Sequence, residues 1–276
     1  MSICLGVSLG HLVGQTMNEL TYASYLKLNK LLNLQEPRST PAEHDELLFI
    51  IVHQTYELWF KLMLHELEHV RAELIAGELW QAVAGFKRLV NVMHTLVEQM
   101  NIVETMTPMS FNSFRDRLDT ASGFQSAQFR EVEFFLGYKR ADVLKYQPDP
   151  AAVERLRKRL NEPSINDAFY IFLEKAGINI PPDVKQRDVI LTTAGNVTVQ
   201  DGLLRLYKSR PDMEVLFELM TDFDEGLQEW RYRHVKLVER TIGSKQGTGG
   251  SPGVEFLKKS LFLATFPDLW AIRHKL

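Results

Sequence analysis

Apolar residues recur at helical spacing along most of the chain, and strict two-residue alternation is nowhere sustained. The longest run passes through Leu47, Phe49, Ile50, Leu58, Phe60, Leu64, Leu67, Val70 and Leu74 and stops at Gly77. Ahead of it, Thr40-Pro41-Ala42-Glu43 has the form of a cap, a first-turn proline and a capping-box glutamate, so the pattern predicts a helix from there of roughly thirty residues, or ~45 to 50 Å. A second amphipathic run covers Leu79 to Val103, and Thr107-Pro108 opens a short helix reaching Leu118 before the turn at Asp119-Thr-Ala-Ser-Gly123. Further helices are predicted for Phe124 to Gly137, Ala151 to Leu160 and Pro163 to Ala176. Ile178 to Asp201, richer in Pro, Thr and Asn, reads as loop or insertion. Met213 to Ile242 is another long helix stopped by Gly243, and a last helix is expected from Val254 to Leu263. The expected fold is therefore all-α, a bundle of long antiparallel helices. Residues 1–19 read as an N-terminal extension and residues 20–276 as one domain.

Composition narrows the classes of function. The 276 residues carry 32 basic and 35 acidic side chains, a formal net charge of -3, mixed along the chain without a basic stripe that could follow a row of phosphates. Nucleic acid is not an expected partner. Cys4 is the only cysteine, which excludes an internal disulfide, a thiolate zinc site, an iron–sulfur cluster and a CxxCH haem attachment, and fits a cytoplasmic setting. The first residues lack the basic start and unbroken apolar run of a signal sequence. No membrane span is expected, because the richest apolar stretch, Leu47 to Leu64, is broken by His53, Gln54, Glu57 and Lys61.

Four features could carry chemistry. His53 shares a helix face with Phe49, Tyr56, Glu57 and Phe60, where an imidazole can be a hydrogen-bonded core group, a metal ligand or an acid/base group. His234 is the one imidazole on a face otherwise made by Leu227, Trp230 and Val238, which suits either a structural histidine or an axial haem ligand packed by apolar neighbours. Beside it, Arg231, Arg233 and Lys236 form either a wet face or a set of partners for haem propionates. Phe111, Arg115 and Leu118 place a guanidinium between two apolar side chains; it pairs either with Asp116 or Asp119 or with a ligand carboxylate. The loop Gly243 to Gly253 carries five glycines and Thr248; it follows a helix and lacks GK[ST], so it is no nucleotide cradle, but it is either a connector or a lid that grips a small polar head group. His65 and His69 have metal-pair spacing but no third ligand nearby, and read as a solvated face.

Taken together, HDELLFIIVHQTYELWFK (His44 to Lys61), FRDRLDTASGFQSAQFR (Phe114 to Arg130) and WRYRHVKLVERTIGSKQGTGGSPGV (Trp230 to Val254) resemble the three signature blocks of the tryptophan 2,3-dioxygenase family. LTYASYLKLNKLL (Leu20 to Leu32) resembles the family's N-terminal segment. The resemblance implies a b-type haem, one per subunit, held by His234, with Trp230, Val238, Ser122 and Gly123 lining the cofactor. It implies L-tryptophan or a related indole amino acid and O2 as substrates, with His53 beside the indole N–H and Phe49, Ile50, Ile51 and Val52 packing the ring. Phe111, Arg115 and Leu118 would meet the amino acid, Arg115 through its carboxylate, while Thr248 would contact the head group. Phe111 stands where some members carry a tyrosine. Tyr22 matches a residue that reaches a neighbouring subunit's site in a homotetramer. The implied reaction inserts both atoms of O2 across the indole C2–C3 bond to give N-formylkynurenine, the first step of tryptophan catabolism by the kynurenine pathway. Two other readings share these motifs: a monooxygenase on the same scaffold, and a non-catalytic haem-binding sensor or carrier.

Overall fold

The computed structural model describes residues 20–248 and 253–276. The chain divides between Glu36 and Pro37 into two compact units. The smaller holds two short helices, α1 (Tyr22–Leu26) and α2 (Leu28–Leu31), which meet at Lys27 in the left-handed region with φ 54°. Thr21 and Ser24 cap α1 reciprocally, so the turn is closed by its own side chains and needs little burial.

The larger unit contains α3 (His44–Ala76), α4 (Leu79–Val103), α5 (Pro108–Arg115), α6 (Ala127–Phe135), α7 (Pro150–Leu160), α8 (Ile165–Lys175), α9 (Pro182–Lys185), α10 (Val197–Ser209), α11 (Pro211–Ile242), α12 (Val254–Lys258) and α13 (Pro267–Ala271). Single 3-10 turns occupy Asp116–Leu118, Gly123–Gln125 and Arg273–Lys275, and a longer one occupies Ala141–Tyr146. No strand occurs among the described residues, and the all-α expectation stands.

The frame is α3, α4 and α11. Helix α4 lies between the other two and presents Phe86, Leu89, Met93, Leu96 and Met100, a buried stripe at three- and four-residue intervals. Gly85 lets α3 approach closely: a Cβ there would lie 2.3 Å from Val70 Cγ2. Behind the frame, Phe86, Phe169, Phe217, Phe223 and Phe266 meet edge to face at centroid separations of 5.9–6.1 Å, joining α4, α8, α11 and the C-terminal segment. Two buried carboxylates pin that segment. Asp224 accepts the Thr265 and Phe266 amides and the Trp270 indole N–H, and Asp268 accepts the Tyr170 hydroxyl, the Asn196 amide and the Gln200 side chain.

Three sequence expectations need correction. Helix α3 begins at His44, four residues after Thr40; the Thr40–Pro41 bond is cis, and Glu43 stands at the cap without a side-chain bond. Its other end is as expected, at Gly77 with φ 87°. Within Ile178 to Asp201 the structure places α9 and the start of α10, which Asn196 caps through the amides of Thr198 and Val199. The last predicted helix stops at Lys258, and α13 follows after a break.

Helix α3 is also the one described helix long and apolar enough to cross a membrane by length and composition. Here it packs against α4, α6 and α8, with Glu46 and Glu66 buried along it. Glu46 accepts the Arg38 and Ser39 amides, and Glu66 meets Arg88 at 2.8 Å. A helix that buries paired carboxylates against other helices is built as a core element.

Candidate active site

A cavity of ≈260 Å³ opens between α3, α5, α6 and the C-terminal half of α11, far larger than the ~10–15 Å³ that holds a single water. Four helix-spaced residues of α3, Phe49, Val52, His53 and Tyr56, form one wall, continued by Phe60. Opposite, α11 presents Trp230, His234, Leu237 and Val238. Phe111, Arg115 and Leu118, then Ser122, Gly123, Phe124 and Phe129, and Met100, Val103, Phe256 and Leu257 from α4 and α12 also line it.

The His53 ring is oriented by its own helix. Its Nδ1 lies 2.7 Å from the carbonyl oxygen of Phe49, which can only accept, so Nδ1 carries the hydrogen and Nε2 is left as an acceptor. The Phe49 ring packs on the imidazole with centroids 4.0 Å apart. Burial lowers the His53 pKa below its ordinary value, against the opposing pull of the Phe49 carbonyl and Glu57, and so favours the neutral form.

His234 is held differently. Its ring stacks on Trp230, centroids 5.1 Å apart and planes 16° from parallel. Neither ring nitrogen has a hydrogen-bond partner among the described residues. Burial, reinforced by His53 and Arg130 nearby, brings its pKa down to about 4, so the imidazole is neutral at ordinary pH.

The arginine and the loop meet each other. Arg115 donates to the Gln246 carbonyl at 2.7 Å, and the Thr248 hydroxyl donates to the Ala121 carbonyl at 2.5 Å. Neither Asp116 nor Asp119 is the Arg115 partner. Residues 249–252 of the glycine loop lie outside the described residues, as do residues 1–19.

The structure thus brings Phe49, Val52, His53, Phe111, Arg115, Leu118, Ser122, Gly123, Trp230, His234, Val238 and Thr248 to one cavity. Ile50 and Ile51 are not on its wall, and Ile51 is 44% exposed. A helix turns ~100° per residue, so the two positions between Phe49 and Val52 face away. Tyr22 lies in the smaller unit, 76% exposed. His65 and His69 are exposed, as the sequence reading expects.

The three basic residues beside His234 are not on the cavity. Arg231 is 5% exposed and donates to the carbonyls of Ser260 and Leu263, Arg233 pairs with Glu104 at 3.1 Å, and Lys236 pairs with Glu239 at 2.7 Å. Sequence reasoning passed over Arg130, which does line the cavity, and gave no role to Tyr56, whose hydroxyl donates to the Leu96 carbonyl at 2.7 Å. Burial pushes the Tyr56 phenol up to about 12. Its position on the His53 face was the available signal; nothing in the sequence marked Arg130.

An unpaired, neutral imidazole on an aromatic wall fits an axial haem ligand, since the porphyrin brings its own four donors and needs apolar packing around them. Together the aromatic wall, the two imidazoles and the arginine make one largely apolar cavity with a few polar groups on it. The tryptophan 2,3-dioxygenase family profile matches residues 8–210 and 195–276. The chain is 51% identical over 257 residues to the tryptophan 2,3-dioxygenase of Herpetosiphon aurantiacus, covering 93% of this chain and 98% of that one. It is 47% identical over 258 residues to that of Anaeromyxobacter sp. strain K, covering 93% and 96%. With that of Saccharopolyspora erythraea the identity is 45% over 262 residues, covering 94% and 93%. The chain belongs to the tryptophan 2,3-dioxygenase family, whose members are haem-dependent dioxygenases.

Proposed function

We propose that this protein cleaves the indole C2–C3 bond of L-tryptophan with O2 to give N-formylkynurenine, both oxygen atoms entering the product. The observation that carries the reading is one cavity walled by an oriented imidazole, His53, and an unpaired one, His234, with Arg115 on its lining.

In this reading His234 holds one b-type haem per chain, with Trp230, Val238, Ser122 and Gly123 packed along it. Bound haem supplies the iron at which O2 is activated. His53 Nε2 accepts the indole N–H and fixes which edge of the ring faces the oxygen; an indole N–H is too weak an acid for proton removal to be its main task. Phe49, Val52, Phe111 and Leu118 pack the ring and exclude water, which holds C2 and C3 in place for reaction. Arg115 exchanges the Gln246 carbonyl for the substrate carboxylate, a stronger charge-assisted partner. Thr248 then meets the head group. Phe111 has no hydroxyl to add to that carboxylate. Ile50 and Ile51 have no place in this contact set. The exposed apolar face of α3 formed by Leu47, Ile51 and Leu58 suits a second copy of the chain, in keeping with a cytoplasmic homotetramer in which Tyr22 reaches a neighbouring site.

The test is turnover of tryptophan by the reduced, haem-loaded protein under 18O2 with mass analysis of the product. Two labelled atoms in a ring-opened product are expected. One labelled atom in an intact ring would make it a monooxygenase, and haem binding without consumption of tryptophan would make it a carrier or sensor.

A further inference from the structure

An axial ligand needs more than a donor atom. An imidazole bound to iron through one ring nitrogen can still turn about that bond, and in most histidine sites a hydrogen bond from the other nitrogen to a carbonyl or carboxylate stops the turn. His234 makes no such bond among the described residues, although burial keeps its ring in the neutral, binding form. Its one ring contact there is with Trp230, one helical turn earlier on α11, with centroids 5.1 Å apart and planes 16° from parallel.

Trp230 is itself held from outside its own helix. It is 6% exposed, and rings from two other helices close on it. Phe129 of α6 lies 4.9 Å away at a tilt of 46°, while Tyr56 and Phe60 of α3 each meet it edge to face at 6.3 Å, with planes at 66° and 85°. The three supports also hold one another, since Phe60 packs on Tyr56 at 5.9 Å and on Phe129 at 5.2 Å. Tyr56 is tied in turn to α4, its hydroxyl donating to the Leu96 carbonyl at 2.7 Å. An indole backed by three rings has little freedom to tilt, and an imidazole lying nearly flat on it shares that restraint.

Resting on the haem-binding reading above, we infer that Trp230 is the positioning residue that sets the plane of the His234 imidazole, in place of the hydrogen bond that usually does so, with Phe129, Tyr56 and Phe60 as its backing. The plane matters because it fixes how the ring's π orbitals meet those of the iron. The missing acceptor matters too: with nothing drawing on its N–H, the His234 ring is a weaker donor than a hydrogen-bonded histidine.

The test is spectroscopic and uses the haem-loaded protein. In the ferric cyanide form, the proton shifts of the four haem methyl groups report the angle of the axial imidazole plane. In the ferrous form, the width and position of the iron–histidine stretching band in the resonance Raman spectrum report how closely that angle is held. The wild-type protein should show one widely spread set of methyl shifts and one narrow band. Trp230→Leu removes the stack but keeps an apolar side chain; it should reorder the methyl shifts or collapse their spread, and broaden and shift the band. Trp230→Phe keeps a flat ring and should restore most of the wild-type pattern, while Phe129→Leu keeps the stack, loosens its backing and should fall between. Wild-type shifts and band in Trp230→Leu would overturn the inference, as would an effect of Trp230→Phe as large as that of Trp230→Leu, which would show a merely structural residue. Should Trp230→Leu not fold or not hold haem, Phe129→Leu decides: an unchanged pattern there would overturn it. A wild-type protein that takes up no haem would instead defeat the haem reading itself.

Discussion

On the α3 wall, the backbone carbonyl of Phe49 fixes the ring of His53 and its tautomer, and the Phe49 ring covers one face. On the α11 wall, His234 has a stacking partner in Trp230 and no hydrogen bond among the described residues. Both rings are neutral for the same reason, burial, yet only the first is satisfied by the protein. The contrast separates two kinds of work. A ring whose Nδ1 is already engaged presents one acceptor in a set direction, which suits orienting a donor on a substrate. A ring with free nitrogens in an apolar setting has a vacant coordination partner to find, and a neutral imidazole is the form that binds a metal.

The largest effect that can break this contrast is loss of the ligand. His234→Ala should fold but purify without a Soret band, because the remaining wall offers packing and no axial donor; an unchanged haem spectrum would refute the assignment. Acid gives the next effect. In the haem-free protein the His234 pKa falls from 6.5 to about 4, so the unfolded chain takes up a proton first as pH drops. Stability associated with His234 is therefore complete above pH 6.5 and declines as pH falls toward 4, by at most roughly 3 kcal/mol at ~1.4 kcal/mol per pH unit. Urea melts across that range should show the slope, with a shallower slope in His234→Ala. His53→Ala should do least: retained haem and a fall in kcat of about tenfold, the worth of one positioning hydrogen bond. A complete loss of turnover with haem in place would make His53 an obligatory acid/base group.

The helices themselves were largely legible because an amphipathic stripe announces its own period. Leu79–Val103 matches the expected limits, as does the Gly77 end of α3. What failed were two helix starts. The capping signal at Thr40 marks no helix start: α3 begins at His44, and the segment before it is held by the buried carboxylate of Glu46 in the helix itself. The start of α10 was hidden in a Thr- and Asn-rich stretch because Asn196 caps it, and Asn reads as loop until the helix after it is seen.

For the site, the chain by itself determined which residues are unusual: an imidazole on each of two long apolar faces, an arginine between Phe111 and Leu118, and glycines after α11. Helical periodicity also placed Tyr56 and Phe60 beside His53, because spacing along one helix is local information. Only the tertiary structure decided which of these meet. It gave the Gln246 carbonyl to Arg115, drew Arg231 away to the carbonyls of Ser260 and Leu263, and brought Arg130 in on α6. The physical reason is the cost of burying charge. A guanidinium goes where partners from distant parts of the chain can satisfy it, and no spacing within the sequence records where those partners will be.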